Sequence, residues 1–238
     1  MPGTAKMEAT TDTTQLISAE WADQNAPPGY RPIKRAVDVW LSLLVLFLGS
    51  PIWLLIGLMI KFTSKGPVFY SGTVVGKGGV PFRYYKFRTM AADSDNTAHK
   101  EWLEQFVKSD AAFGEDESGQ RIFKVVNDPR VTSIGRWLRK LSIDEVPQML
   151  NVLMGQISLV GPRPPVPYEY EHYDDWARQR LSVTPGITGL YQVTARSQVG
   201  FSEMVEIDLD YIRRRSIWLD LRIMIKTPFV MLIGKGAG

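Results

Sequence analysis

From Val39 to Ile60 the chain runs for about 22 residues without a charge, long enough for a helix to cross a bilayer. Gly49-Ser50-Pro51 interrupts this run near its middle. Proline removes a backbone hydrogen bond and bends a helix, and Ser50 can satisfy a backbone group freed at the break. Both flanks are basic, with Lys34 and Arg35 before and Lys61 and Lys65 after. A single crossing should be basic mainly on its cytoplasmic side. The pattern fits a helix–break–helix that dips into a membrane and returns to the same face. A kinked single-pass anchor is the alternative that the residues leave open. Asp38, at the edge of the run, is expected to pair with Lys34 or Arg35 on the same helical face.

Downstream the period changes. Phe69-Tyr70 and Thr73-Val74-Val75, then Gly76-Lys77-Gly78-Gly79, then Val80 to Arg88 read as a β-hairpin, because aromatic and β-branched residues flank a glycine turn. On its return strand Lys86 and Arg88 share a face. That face is either solvated or a wall for phosphate. Thr97 to Val107 predicts a helix with Trp102, Leu103 and Phe106 on one stripe. Ser109 to Gly119 reads as an acidic loop, Arg121 to Val126 as a short strand, and Asn127-Asp128-Pro129-Arg130 as a turn. A basic helix follows over Ser133 to Lys140, carrying Arg136, Arg139 and Lys140, which can lie on anionic lipid. Further helices are expected over Tyr168 to Leu181 and over Ser202 to Arg215, the latter capped by Ser202. Between them Pro185 to Val193 reads as a turn and a short extended run. Ile217 to Ile233 is apolar but carries Asp220, Arg222, Lys226 and Pro228, and such charges are costly at mid-bilayer. It is expected to be an interfacial helix, or equally a homodimer surface. Met1 to Gly29 lacks an apolar period and reads as a mobile tail, and the apolar run begins too late for an ordinary signal peptide.

Composition narrows the chemistry. The net charge of +3 is mild. The chain has no cysteine and only two histidines, His99 and His172. Thiolate chemistry and disulfides are excluded, and zinc clusters and Ser-His-Asp systems are disfavoured. Acid–base or nucleophilic work must come from carboxylates, and any metal should be oxygen-bound. Attention falls on Ser142-Ile143-Asp144-Glu145-Val146-Pro147-Gln148. Ser142 and Glu145 have capping-box spacing, which predicts a helix with the acidic pair in its first turn, an apolar face of Ile143, Val146, Leu150 and Leu153, and a stop at Gly155. Pro147 is tolerated near a helix start. A helix N-terminus favours negative charge, so both carboxylates are expected to be ionised. An ionised Asp is a competent nucleophile toward phosphorus and a hard ligand for Mg²⁺. Arg163, in the turn Gly161-Pro162-Arg163-Pro164, can hold a phosphate through its planar fork. Plain helix capping is the competing reading of the acidic pair.

Taken together, these stretches closely resemble the bacterial sugar transferases that are monotopic polyprenyl-phosphate phosphoglycosyl transferases. The resemblance rests on Lys34-Arg35 with Asp38, Ser50-Pro51, Tyr85-Lys86-Phe87-Arg88-Thr89-Met90, Asn127-Asp128-Pro129-Arg130, Asp144-Glu145-Val146-Pro147-Gln148 and Ser158-Leu159-Val160-Gly161-Pro162-Arg163-Pro164. It runs from about Arg31 to the C-terminus. Pro185-Gly186-Ile187-Thr188-Gly189 and the C-terminal region look like the longer exopolysaccharide-priming members, of which this chain resembles the catalytic half standing alone. Ile143 and Val146 stand where the family often has leucine, and Tyr191 where many long members have tryptophan.

The resemblance implies transfer of a sugar-1-phosphate from a UDP-sugar to undecaprenyl phosphate, releasing UMP. Asp144 would form a covalent phospho-sugar intermediate. Glu145 would assist Mg²⁺ binding or activation of the lipid phosphate, Arg163 would hold a phosphate, and Lys86 and Arg88 would be further phosphate contacts. Ser50 and Pro51 would mark a re-entrant membrane break, which tips the topology from open to re-entrant. The expected fold is α+β and mainly helical, with a membrane-embedded re-entrant helix–break–helix, a small β-hairpin and surface amphipathic helices. Its expected parts are a disordered tail (1–30), the re-entrant membrane helix (31–65) and a catalytic domain (66–238) on the cytoplasmic face of the bacterial inner membrane. Two other classes compete. A membrane-anchored scaffold would use Asp144-Glu145 only as a cap. A nucleic-acid binder would use Arg136, Arg139 and Lys140, but the mild charge and the bilayer-length run argue against nucleic acid.

Overall fold

A computed structural model of the chain describes residues 18–91, 97–109, 114–115, 121–122, 130–195 and 198–233. Helix α1 (Ala19–Gln24) is capped by the Ser18 side chain, which accepts from the Trp21 N–H. Ala22 is fully buried. The expected tail is therefore ordered over part of its length, because Trp21 and Ala22 supply apolar surface to the core; residues 1–17 lie outside the described residues.

Helices α2 (Tyr30–Leu48) and α3 (Ser50–Thr63) form the long apolar segment and are bent by 64° at Gly49. The break is satisfied locally, as its serine suggested. Ser50 Oγ donates to the Phe47 carbonyl at 2.8 Å and Trp53 Nε1 to the Val45 carbonyl at 2.9 Å. No single helix among the described residues is long and apolar enough to cross a membrane, whereas this bent pair together is. Its burial is inverted. The buried positions of α2 are Tyr30, Asp38 and Ser42, while Trp40, Phe47 and Phe62 are 74 %, 80 % and 84 % exposed.

Strands β1 (Phe69–Val75) and β2 (Pro81–Phe87) form the expected antiparallel hairpin, with Tyr70 opposite Lys86. Helix α4 (Thr97–Ser109) buries Leu103 and Phe106 and stacks Trp102 on Phe106. A minimal hairpin of β3 (Gly114–Glu115) and β4 (Arg121–Ile122) follows. The rest of the expected acidic loop and strand, and Asn127-Asp128-Pro129, lie outside the described residues. The basic helix α5 (Ser133–Lys140) is capped by Thr132. The acidic pair comes next, in a 3₁₀ segment (Ile143–Gln148) that runs into α6 (Met149–Leu153). As expected, Gly155 ends this helix. At φ 76° its N–H donates to the Val152 carbonyl, and the Gln156 N–H donates to the Asn151 carbonyl, closing a Schellman stop.

Strand β5 (Ser158–Val160) lies parallel to β6 (Gly186–Thr188). Between them, the helix expected over Tyr168 to Leu181 is divided into α7 (Pro167–Tyr170), α8 (Asp175–Arg178) and a 3₁₀ turn (Gln179–Ser182), because Asp174 caps a fresh start by accepting from the Ala177 N–H. The extended run after β6 stops at Thr188, and α9 (Leu190–Thr194) is helical. Helix α10 (Phe201–Arg214) starts after Gly200 with no side-chain cap, so Ser202 lies inside it rather than at its boundary. Helix α11 (Ile217–Ile233) runs continuously through Pro228.

The main core joins α4, α6, β5, α10 and α11 through residues such as Phe106, Val152, Val160, Leu209, Ile212 and Ile223. A smaller cluster of Ile56, Ile60, Phe87 and Leu138 fixes α3 to β2 and α5. The polar face of α2 is held by a knot around Asp220. This carboxylate accepts from Tyr30 Oη (2.9 Å), Lys34 Nζ (2.6 Å) and Tyr211 Oη (2.8 Å), tying α2 to α10 and α11. The pairing expected for Asp38 is replaced. Lys34 goes to Asp220, and Arg35 donates to the Val152 and Leu153 carbonyls at the C-terminal end of α6. Asp38 accepts instead from the Leu159 N–H at 3.0 Å. Removing one partner of a buried pair leaves an uncompensated charge, so Asp220→Ala should lower unfolding stability by roughly 3–5 kcal/mol. Chemical denaturation of the detergent-solubilised protein measures this loss, and a loss no larger than that of an exposed Asp210→Ala control contradicts the assignment.

Candidate active site

The hairpin, the 3₁₀ segment and the Gly-Pro-Arg-Pro turn converge on one cluster of charges. The capping box does not form. Ser142 adopts a left-handed conformation at φ 52°, and its side chain makes no cap hydrogen bond. The chain turns sharply there and presents the following residues in the opposite sense to that expected. Asp144, Pro147, Gln148, Asn151 and Val152 face inward, while Leu150 and Met154 are half-exposed and Ile143, Val146 and Leu153 are only part-buried. The inward polar face has a partner to satisfy it. Asn151 is fully buried, and its Oδ1 accepts from the Tyr85 N–H at 3.2 Å. Its Nδ2 donates to the Arg83 carbonyl and to Gln156 Oε1, each at 2.7 Å. The Asn151 amide thus pairs with β2 as a backbone unit of a neighbouring strand would. The signal for it in the sequence is a single amide inside the apolar run Met149-Leu150-Asn151-Val152-Leu153.

This docking aims β2 at the carboxylates. Lys86 Nζ lies 2.6 Å from Glu145 Oε1 and 3.9 Å from Asp144 Oδ2. Its ammonium is held above its usual range. Burial works against the charge, and the Glu145 and Asp144 carboxylates outweigh that effect. Asp144 behaves oppositely to the helix-terminus expectation. Its carboxyl is pushed up, first by burial and further by Glu145, and only partly restrained by Lys86 and by Arg139. A six-residue 3₁₀ segment offers little aligned dipole, and desolvation dominates. Arg139, read from the sequence only as part of a basic face, thus belongs to the electrostatic surroundings of Asp144. Its Nε donates to Thr89 Oγ1 at 2.9 Å.

Arg163 is delivered by backbone. The Val75 N–H donates to the Pro165 carbonyl and the Gly186 N–H to the Pro162 carbonyl, each at 2.8 Å. The Gly161 N–H donates to the Thr188 carbonyl, also at 2.8 Å. The turn is therefore stapled between the hairpin and the β5–β6 pair. Gly161 and Gly186 touch so closely that a Cβ on Gly186 would lie 2.1 Å from the Gly161 nitrogen. Arg163 is exposed, yet its guanidinium is held above its ordinary value. Desolvation by close neighbours is outweighed by the charges of Glu145 and Glu169. Lys86 in turn senses Arg163 as a like charge. Asp144, Glu145, Lys86 and Arg163 therefore form one electrostatic unit. Arg88 does not join it. It is buried and donates to the Ser64 and Lys65 carbonyls and to Ser64 Oγ, closing the C-terminal end of α3.

The donor set allows a divalent cation of one kind. Among the described residues no group of three or more His, Cys, Asp or Glu side chains gathers to enclose a metal. Two adjacent carboxylates suit an ion that takes its remaining ligands from water and substrate phosphate, as Mg²⁺ does. A cluster with two carboxylates, a lysine ammonium and an arginine fork open to solvent can hold a diphosphate and offer it a carboxylate nucleophile.

Residues 29–234 match a family described as bacterial sugar transferase. The exopolysaccharide production protein ExoY of Sinorhizobium fredii is 40 % identical over 211 residues, covering 87 % of this chain and 90 % of that protein. The undecaprenyl-phosphate galactose phosphotransferase of Salmonella typhimurium is 40 % identical over 208 residues, covering 87 % of this chain and 42 % of that protein. The UDP-glucose:undecaprenyl-phosphate glucose-1-phosphate transferase of Escherichia coli is 36 % identical over 215 residues, with the same two coverages of 87 % and 42 %. The chain thus spans most of the first relative and less than half of the other two.

The raised pKa of Asp144 has a consequence for stability. A carboxyl whose pKa is higher folded than unfolded stabilises the fold only while protonated, and loses that contribution as pH rises through its folded value. Asp144→Asn should therefore raise Tm at neutral pH, with a gain that shrinks as the pH is lowered. Thermal unfolding of both proteins across pH checks this, and an Asn variant less stable than wild type at neutral pH would contradict it.

Proposed function

The chain belongs to the bacterial sugar transferase family and is an enzyme of that type, and we propose that it transfers a sugar-1-phosphate from a UDP-sugar to undecaprenyl phosphate, releasing UMP, as the priming step of exopolysaccharide assembly. The observation that carries this reading is the placement of Asp144, buried and adjacent to Glu145, beside the Lys86 ammonium in a unit that also contains Arg163.

The step divides in two. An Asp144 carboxylate oxygen attacks the sugar-bearing β-phosphorus of the donor. The bond from that phosphorus to the bridging oxygen breaks, and UMP leaves with the electron pair. An oxygen of the lipid phosphate then attacks the same phosphorus and expels Asp144, giving the lipid diphosphate-sugar and the free carboxylate. Phosphoryl transfer depends mainly on positioning and on neutralising oxygen charge. Arg163 and Lys86 supply positive charge to the diphosphate, and Lys86 also favours the ionised form of Asp144. Glu145 holds Lys86 in line and stands where it can orient the lipid phosphate. Asp144 and Glu145 are the residues that would hold Mg²⁺, which when bound supplies further charge neutralisation on the phosphate oxygens.

The inverted burial of α2 and α3 supports a membrane reading of the same site. On α2 large apolar side chains point outward while Asp38 and Ser42 point inward, and α3 exposes Leu54, Leu55 and Phe62 although it buries Ile56 and Ile60; so much outward apolar surface is stable only where the surroundings are themselves apolar. The 64° bend fits a broken span or a segment that enters and returns, and the basic residues on both flanks support the second. Lipid phosphate at headgroup depth would then meet a cytoplasmic-face catalytic domain, at the bacterial inner membrane.

The deciding measurement is UMP release by the protein in nanodiscs with undecaprenyl phosphate, Mg²⁺ and a panel of UDP-sugars. Wild type should release UMP with at least one sugar, and Asp144→Asn should reduce this to background. Release that survives in Asp144→Asn overturns the nucleophile assignment. Folded wild-type protein that releases nothing with any donor favours a membrane-anchored scaffold. Lys86 adds a finer prediction. Because its charge lowers the Asp144 pKa, Lys86→Met should move the acidic limb of kcat/KM to higher pH, besides lowering its plateau. An unmoved limb would show that Lys86 contacts substrate without tuning the nucleophile.

A further inference from the structure

A cavity of about 250 Å³ lies where the first turns of α2 meet the loop after α6, lined by Arg31, Lys34, Arg35, Lys77 and Arg215. None of Lys86, Asp144, Glu145 or Arg163 lines it. Its wall carries the carboxylates Asp23 and Asp38, and Asp220 stands behind Lys34. Five cations thus face three carboxylates, leaving an excess of two positive charges.

The pairing is also uneven. Asp23 is shared, bonding Arg31 and also Lys77, whose Nζ lies 2.9 Å from one of its oxygens and 3.1 Å from the other. Asp38 turns an oxygen to the Leu159 N–H. Arg35 and Arg215 donate to backbone carbonyls, those of Val152 and Leu153 for the first and of Ile212 and Ala22 for the second. Carbonyl dipoles orient a guanidinium without neutralising it. The Arg215 guanidinium is accordingly held below its usual value, first by burial, with the Arg31 charge adding to the effect. These are the features of a positive region short of an anion.

We infer that this cavity is a second anion site, distinct from the carboxylate cluster, which takes a phosphate group carried either by an anionic lipid headgroup or by a soluble phosphate. A phosphate monoester brings nearly the two negative charges that the wall lacks. Guanidinium forks match its oxygens, and the volume leaves room for a small polar moiety beside it. Asp23 is the internal competitor, because it occupies two of the cations that reach solvent. Their side chains are 54 % exposed for Arg31 and 36 % for Lys77. The cavity opens at the end of α2 from which the apolar segment departs, so the lipid source follows if that segment dips into a bilayer.

The test is calorimetric titration of the full chain in uncharged detergent. An Arg163→Ala background weakens phosphate binding at the carboxylate cluster. The probes are inorganic phosphate and short-chain dihexanoylphosphatidic acid, a monoester, each titrated separately. No sugar donor is present, so failure of the transferase reading leaves the result untouched. At least one probe should bind saturably. Arg31→Gln should weaken that binding about tenfold or more, the scale of one charge-assisted hydrogen bond. Asp23→Asn should tighten it by a similar factor, a change of sign that a poorly folded variant would not produce. Binding of the lipid probe alone identifies a headgroup site, and binding of both shows that phosphate is sufficient. Absence of saturable binding by either, or an Asp23→Asn variant that binds no more tightly, overturns the inference.

Discussion

One buried amide organises the working half of this molecule. Asn151 pairs with β2 through the Tyr85 N–H and the Arg83 carbonyl, while Gln156 takes its remaining proton. A fully buried side-chain amide must find such partners, because each unmade hydrogen bond costs roughly 1–3 kcal/mol. Satisfying it fixes the distance and register between α6 and the hairpin. Lys86, one residue beyond Tyr85, is then set against Glu145 and Asp144. The charges at the site depend on a neutral contact that carries none of the chemistry.

Around that contact the charges are arranged by opposition rather than by simple attraction. Burial drives the Asp144 carboxyl toward its neutral form, and Lys86 pulls it back. A carboxylate kept ionised against desolvation is poorly solvated and therefore more reactive toward an electrophile than one in water. The burial that costs the resting fold stability is also what would make this carboxylate the nucleophile of the proposed reaction. Arg163 completes the arrangement without any side chain of its own turn to hold it, since Gly161, Pro162 and Pro165 are fixed through backbone groups.

Much of this was legible in the residues. The hairpin, the helices Ser133–Lys140 and Ile217–Ile233, the Ser50 repair of the break and the Gly155 stop all follow from local rules about period and turn chemistry. The failures share a cause. The Ser142 capping box, the inward apolar face of the next helix and the Asp38 ion pair each depend on neighbours in sequence alone. Distant partners override them: Lys86 of β2 takes the Glu145 carboxylate that the box needs, Asn151 pairs with β2, the Leu159 N–H takes Asp38 and Asp220 takes Lys34. Arg88 likewise shares a strand face with Lys86 by alternation. It lies just beyond the strand, however, where the open carbonyls at the end of α3 claim it. Single-sequence patterns carry the period of a segment, but not which far carbonyl a long cationic side chain will reach.

The contact between Gly161 and Gly186 shows how a site can be calibrated by the absence of atoms. Two main chains pass at a separation that leaves no room for even a methyl group. The arginine turn therefore takes its position from a bare backbone surface, with no rotamers to repack and no volume to trade. Core packing elsewhere can drift by compensating exchanges of size, but this junction has no neutral neighbours in sequence space. A methyl group added there would leave every charge of the site in place and still displace the Arg163 fork. A transferase so altered would look intact by composition and fold, yet carry its arginine out of line with the carboxylates.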